Sequence, residues 1–278
     1  MHFTGYGGDE IFNTLPVLCA DQLRVRPRHA VRNLLGWRAM GRWSMPRMLR
    51  QLACGTSYAK WLATDALHFG RADQYRPLLS WGVSASVPPR LTIEAAQGIR
   101  ERTREVAEST ASLASTPGRH FTLDLLYQGA RLVRAISDIA AQRSGLLLVA
   151  PLLDAYVVSA ALSVEAGVRS TPYQYKPVLT HGLHGLLPDA VLARRSKGGE
   201  DADVALGFVN NPGTIRELWM DSRLVALGIV NGEYLRAALC VPDSPEFDNC
   251  ALGNTLATEV WLRSLEHDRE VTHASSTS

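Results

Sequence analysis

The chain has 278 residues, 46% of them hydrophobic and 20% charged, an ordinary globular composition with enough apolar material for a sizeable core. Its 29 basic and 27 acidic residues leave a formal charge of +2, which excludes the concentrated basic field of a nucleic-acid binder. No basic segment followed by an apolar stretch opens the sequence, so there is no secretory signal. The most apolar run, GLLLVAPLLDAYVVSAAL, is interrupted by Pro151 and Asp154, which argues against a membrane span. Cys19, Cys54, Cys240 and Cys250 form no CxxC pair and have no histidine at zinc-ligand spacing. They read as buried thiols of a soluble cytoplasmic protein.

The first residues, MHFTGYGGDEIF, form a glycine-rich turn ending in two adjacent carboxylates. Such turns normally follow a strand and precede a helix, because glycine lets the backbone approach a bound phosphate closely. There is almost no room here for that strand. Asp9 at the mouth of the turn could hold a divalent cation between itself and a phosphate, since magnesium is commonly bound by one or two carboxylates plus substrate phosphates. A plain turn with an aspartate helix cap is the competing reading.

Further along, apolar residues at helical spacing predict a basic amphipathic region from Pro27 to about Leu52, split in two by Pro46. Its arginines are either solvated or a platform for an acidic peptide or a phosphate. A surface helix is expected from Thr92, as cap, to about Ser109, and STASLASTPG reads as a loop. A core helix is expected over 121–143, carrying Leu123, Leu126, Tyr127, Ala130, Leu132, Val133 and Ile136. The run LLLVAPLLD predicts a buried element entering another helix, with Asp154 as its cap. Beyond it come a helix at KPVLTHGL, with Lys176 read as a helix-surface lysine and a pocket-facing one as the alternative, and a short helix opened by Pro188 and Asp189. A basic glycine loop, RRSKGG, follows. Helices from about Ala202, Gly213, Asn231 and Asn249 close the chain before a polar disordered tail at 269–278. The fold class is mainly α. Lys197, between two arginines and two glycines, suits the charge that develops on a phosphate leaving group, or is simply a solvated loop residue.

Taken in order, TGYGGDEIF, PLLDAYVV, KPVLTHGL and LPDAVLARRSKG resemble the motifs SGxGGDExF, PxLD, KxxLR, LPxx(I/V) and RxKG of the asparagine synthetase superfamily. Within it the chain looks closest to the lasso peptide macrolactam cyclases and the β-lactam synthetases, on the grounds of Tyr6 and of the stretches DSRLVALGIVNGEYLRAAL and TLATEVWLRSLE. The resemblance implies that residues 1–268 are the C-terminal helical portion of an α/β synthetase domain of the adenine nucleotide α-hydrolase type. The N-terminal strands and the SGGxDS pyrophosphate loop would be missing, so that residue 1 lies inside a domain.

The function implied is ATP-dependent macrolactam formation, by carboxylate adenylation and intramolecular amine attack on a precursor peptide. Alternatives are amide transfer to aspartate, as in asparagine synthase, and a non-catalytic helical module that binds a peptide. By resemblance, Asp9 matches the magnesium ligand, Lys197 and Tyr6 match catalytic residues, and Gly5, Tyr6, Gly7 and Gly8 line the ATP site. The cofactors implied are ATP and Mg2+. The partners implied are a precursor peptide and, where the pyrophosphate loop is not on the same chain, a separate polypeptide carrying it.

Overall fold

The computed structural model describes residues 1–12, 14–69, 75–193, 201–240 and 249–276. It is 67% helical, so the mainly α expectation holds. The chain divides into two compact units, the first made of Met1–Ala66, Asp73–Ser84 and Val106–Ser196, the second of Leu67–Ala72, Ala85–Glu105 and Lys197–Ser278. With labels in chain order, the first unit holds β1 (His2–Phe3), α1 (Gly8–Phe12), α2 (Pro16–Asp21), α3 (Pro27–Met40), α4 (Met45–Ala53) and α5 (Tyr58–Thr64). The second holds β2 (Leu67–Phe69), β3 (Ala85–Val87) and most of α6 (Ile93–Ser109). The first resumes with α7 (Pro117–Ser144), β4 (Leu148–Val149), α8 (Ala155–Ser163), α9 (Ala166–Arg169), α10 (Pro177–Gly182) and α11 (Asp189–Leu192). The second ends with α12 (Asp201–Asn210), α13 (Pro212–Met220), α14 (Arg223–Ala226), α15 (Gly232–Cys240) and α16 (Asn249–Ser276).

Among the described residues two short parallel pairs make up the sheet content, β1 with β4 and β2 with β3. The expected lack of a strand before the glycine turn is therefore corrected. Two residues suffice, His2 opposite Leu148 and Phe3 opposite Val149, extended by bonds from His2 N to Leu147 O and from Thr4 N to Val149 O, both 2.8 Å.

In the first unit, α3 buries Ala30, Asn33 and Leu34 and turns Arg28 and Arg32 outward, as helical spacing requires. The buried Asn33 amide donates to Ser170 O at 3.3 Å, and Ser170 Oγ donates to Leu15 O at 2.6 Å, so both buried polar side chains are satisfied. The basic region does break in two, but at Gly41–Ser44, where Arg42 takes φ 51°. Pro46 instead opens α4 in its first turn behind the Ser44 cap, where no backbone N–H is needed.

Three other expectations are corrected. The core helix starts earlier, at Pro117, and only its first half is core: Phe121 and Gly129 are buried, whereas Tyr127, Leu132 and Ile139 are exposed. The run before Pro151 is not buried either, since Leu146 and Leu147 are exposed. Cys19 is a buried thiol, but Cys54 and Cys240 are exposed, and all three are free. Thr92 caps α6 as expected, accepting from Ala95 N at 3.1 Å. No described helix is long and apolar enough to cross a membrane.

The second unit packs Phe208, Ile215, Trp219, Leu224, Leu235 and Leu252 into one cluster. Full burial of a leucine is worth about 2 kcal/mol. The short helix α14, not foreseen in the sequence, is pinned there by Glu259 of α16. This carboxylate is completely buried and accepts from Arg223 N (2.9 Å), Leu224 N (3.1 Å), Ser222 Oγ (2.8 Å) and Arg263 Nε (3.0 Å). Burial pushes its pKa up, but these four donors outweigh that and hold it below the ordinary carboxylate value. The stabilisation is complete above that ordinary value and is lost as pH falls through the lowered one. Glu259→Ala is expected to cost about 3 kcal/mol. Urea unfolding followed by tryptophan fluorescence checks this, and the gap between wild type and variant should shrink in strongly acidic buffer.

Candidate functional site

The site begins with the turn between β1 and α1. Gly7 has φ 95°, a conformation that L side chains rarely adopt. A Cβ there would also lie 2.9 Å from both the Leu152 carbonyl carbon and Leu153 Cγ. Glycine is therefore required twice over, and the second requirement binds the first motif to PLLD. Gly8 is nearly as confined, with Leu152 Cδ1 at 3.2 Å and Lys176 Nζ at 3.5 Å from its Cβ position. Gly5 meets nothing within 4 Å, so sterics give no reason for glycine there.

Helix α1 sorts the residues that follow. Ile11 and Phe12 are buried with Ala161, packed by Leu152, Leu153, Val178 and Leu179. The two carboxylates then part company. Glu10 folds back, accepting from Gly7 N at 2.9 Å, the return half of a capping box, and it lies so close to Gly129 of α7 that a Cβ there would meet Glu10 Cγ at 2.6 Å. Asp9 stays partly open, its side chain 40% exposed, with Lys176 Nζ 2.7 Å from Oδ1.

Lys176 corrects the expectation of a helix-surface lysine. Its side chain is only 14% exposed, and its backbone is left-handed (φ 45°) immediately before Pro177, which opens α10. Pro177 restricts the residue before it and ends any helix there, so Lys176 projects from a bend rather than from a helix face. The signal available in the sequence was its place at the head of KPVL. Asp154 does what was expected of it: Oδ1 accepts from Tyr156 N at 2.9 Å and caps α8.

Three of the four motif segments, TGYGGDE, PLLD and KPVL, thus converge within the first unit. Tyr6 lies at the edge of the turn, 36% exposed, its backbone N donating to Thr4 Oγ1 at 3.2 Å. Among the described residues no acidic side chain pairs with its hydroxyl. Lys197 lies outside the described residues. Among the described residues there is no group of three or more histidine, cysteine, aspartate or glutamate side chains able to hold a metal ion. Glu10 and Asp154 serve as caps and Asp9 pairs with Lys176, so that among these three segments Asp9 is the carboxylate that could hold a cation. A single carboxylate suits magnesium, which relies chiefly on substrate phosphates and water, rather than an ion that needs an all-protein cage.

Gly7→Ala is expected to destabilise the first unit by roughly 2 kcal/mol or more, through both the left-handed φ and the contact with Leu152. Gly5→Ala, with open space around it, should unfold at the wild-type midpoint. Paired thermal or chemical denaturation curves of the two variants check this.

Comparison with known proteins adds to this geometry. A family model described as Asparagine synthase matches residues 1–263. No curated protein and no solved structure matches the chain significantly. The match spans nearly the whole chain and contains the glycine turn, PLLD and KPVL that the fold brings together. The chain belongs to the asparagine synthase family, whose enzymes are ATP-using, amide-forming ligases.

Proposed function

We propose that the chain serves ATP-dependent macrolactam formation: a peptide carboxylate is activated by adenylation and then attacked by an amine of the same molecule. The observation that carries this is the Asp9–Lys176 pair beside the strained glycine turn. A partly exposed carboxylate, a shielded ammonium and closely approachable backbone together form a surface complementary to a nucleotide phosphate with its cation. Gly5, Tyr6, Gly7 and Gly8 would line the nucleotide, and Asp9 would hold Mg2+. When bound, that ion would neutralise charge on the departing pyrophosphate. Lys176 keeps the Asp9 carboxylate oriented, and its ammonium would be available to phosphate if Asp9 held a cation.

Lys197 is assigned to stabilising the negative charge that builds up in both steps, where a cation aimed at the transition state is worth more than one that merely binds ATP. Tyr6 is assigned to helping the amine lose its proton, because only the neutral amine is a nucleophile. The 278 residues contain no SGGxDS segment, and that loop would come from outside them, whether upstream in a longer chain or on a separate polypeptide. The other partner is the precursor peptide, and the reaction is placed in the cytoplasm. Residues 1–268 are taken as the synthetase portion, with 269–278 as an appendage outside it.

A second reading has its own support. From Gln22 to Thr64 the chain carries arginines 24, 26, 28, 32, 38, 42, 47 and 50 and no acid. On α3 the exposed Arg28, Val31, Arg32 and Leu35 share one stripe. That face suits an acidic peptide, whether as the substrate's docking platform or in a module that only binds.

The experiment combines the chain with an SGGxDS-bearing partner and the precursor peptide, and follows ATP-dependent loss of one water from the peptide by mass spectrometry. Cyclisation is expected, and Lys197→Ala should lower its rate by at least about a hundredfold while leaving peptide binding intact. Undiminished cyclisation by Lys197→Ala would overturn the assignment of that residue. Amidation of free aspartate in place of cyclisation would overturn the macrolactam reading, and peptide binding without any ATP turnover would favour the binding module.

A further inference from the structure

The segment from Gln22 to Thr64 gathers eight arginines and Lys60 with no acid, so in a chain of formal charge +2 everything outside it is net acidic. Helices α3 and α4 both seat on the buried cluster of Leu34, Trp43 and Met48 and turn their other faces to solvent. On α3 that outer face carries Arg28, Val31, Arg32 and Leu35 at helical spacing, and on α4 it carries Leu49 and Arg50. Val25 before α3 and Met40 at its end are exposed as well. Among the described residues no carboxylate pairs with Arg28 or Arg32. Beside the stripe stands Tyr173, 59% exposed yet fixed in place. Its hydroxyl donates to Arg32 O at 3.2 Å, and the Arg32 guanidinium lies 5.2 Å over its ring. Gly36 makes room for it, since a Cβ there would meet Tyr173 Oη at 2.8 Å and Pro172 Cγ at 2.6 Å.

Three classes of partner carry enough negative charge to match such a face. Nucleic acid is held through phosphates and through stacked or hydrogen-bonded bases, and it has no use for the exposed aliphatic side chains that alternate with these arginines. A docked peptide takes a groove or a sheet edge. The face of α3 is neither, being the convex side of one helix of 14 residues, about 21 Å long. A bilayer asks for no groove. Headgroup phosphates take the guanidinium forks, the aliphatic side chains between them enter the acyl boundary, and a tyrosine lies at the same level with its ring in the apolar layer. We propose that the outer face of α3, together with Tyr173, rests on an anionic lipid surface, with Arg28 and Arg32 on headgroup phosphates. The contact is peripheral, made by a helix that keeps its inner face in the protein core. It is independent of the ligase reading, since none of these residues belongs to the four motif segments, and it competes with the acidic-peptide reading of the same face.

The test is co-sedimentation of the full chain with vesicles of phosphatidylcholine alone and with vesicles of equal parts phosphatidylcholine and phosphatidylglycerol. Binding to the mixed vesicles only is expected, falling steeply as salt is added. Arg28→Gln with Arg32→Gln should weaken it by about tenfold or more, and Leu35→Ser by about threefold. Arg104→Gln, at an exposed arginine of α6, should leave it unchanged. No binding, equal binding to the two kinds of vesicle, or an equal loss in Arg104→Gln would overturn the proposal. Poly-glutamate or duplex DNA bound at lower protein concentration than the mixed vesicles, and lost with the same two arginines, would overturn it too, by giving the face to a peptide or a nucleic acid. If the double variant does not fold, Arg28→Gln alone, which leaves the Arg32–Tyr173 contact in place, carries the test: weakened binding supports the proposal, and wild-type binding overturns it.

Discussion

The ligase reading of this chain depends on the close approach of Gly7 to the turn at Leu152 and Leu153. A left-handed residue with no room for a Cβ lets the end of β1 and the start of α1 lie directly on the Pro151–Leu153 turn, which in turn fixes where α1 buries Ile11 and Phe12. Val178 and Leu179 of α10 join the same apolar cluster, and their packing carries Lys176 to within 2.7 Å of Asp9. The ion pair at the mouth of the site is thus a consequence of core packing. It is partly exposed, so its own contribution to stability is small, and its importance lies in where it holds two opposite charges.

The division of labour between Asp9 and Glu10 shows how a short helix can use adjacent carboxylates differently. Successive residues of a helix point about 100° apart, so one carboxylate can close the cap while its neighbour faces outward. Glu10 satisfies the Gly7 amide, and it can do so only because Gly129 leaves space on α7. Asp9 is left with a cation for company. A carboxylate beside an ammonium that can move to a phosphate is placed to exchange one cation for another at little cost.

Much of this was legible in the sequence, for physical reasons. Helices with a start signal, such as Pro27 for α3 or the caps of α6 and α8, came out with their beginnings in place because those signals are local. The order of TGYGGDEIF, PLLD and KPVL along the chain singled out segments that the fold does bring together. What the sequence concealed depended on distant partners. A lysine at the head of a helix reads as solvated unless one knows that Asp9 lies opposite. The strand at His2–Phe3 has no periodicity to detect at two residues, and it exists only because β4 lies beside it. Tyr127, Leu132 and Ile139 carry helical spacing indistinguishable from that of core positions, yet in the structure they face outward.

The central claim is that Asp9 is the point at which this fold takes hold of a nucleotide's cation. Its most direct test is the magnesium dependence of ATP binding, measured by calorimetry on wild type and on Asp9→Asn. The account predicts that Mg2+ tightens ATP binding to wild type and that this gain vanishes in the variant while its melting temperature is retained. An equal magnesium-dependent gain in both proteins would contradict it.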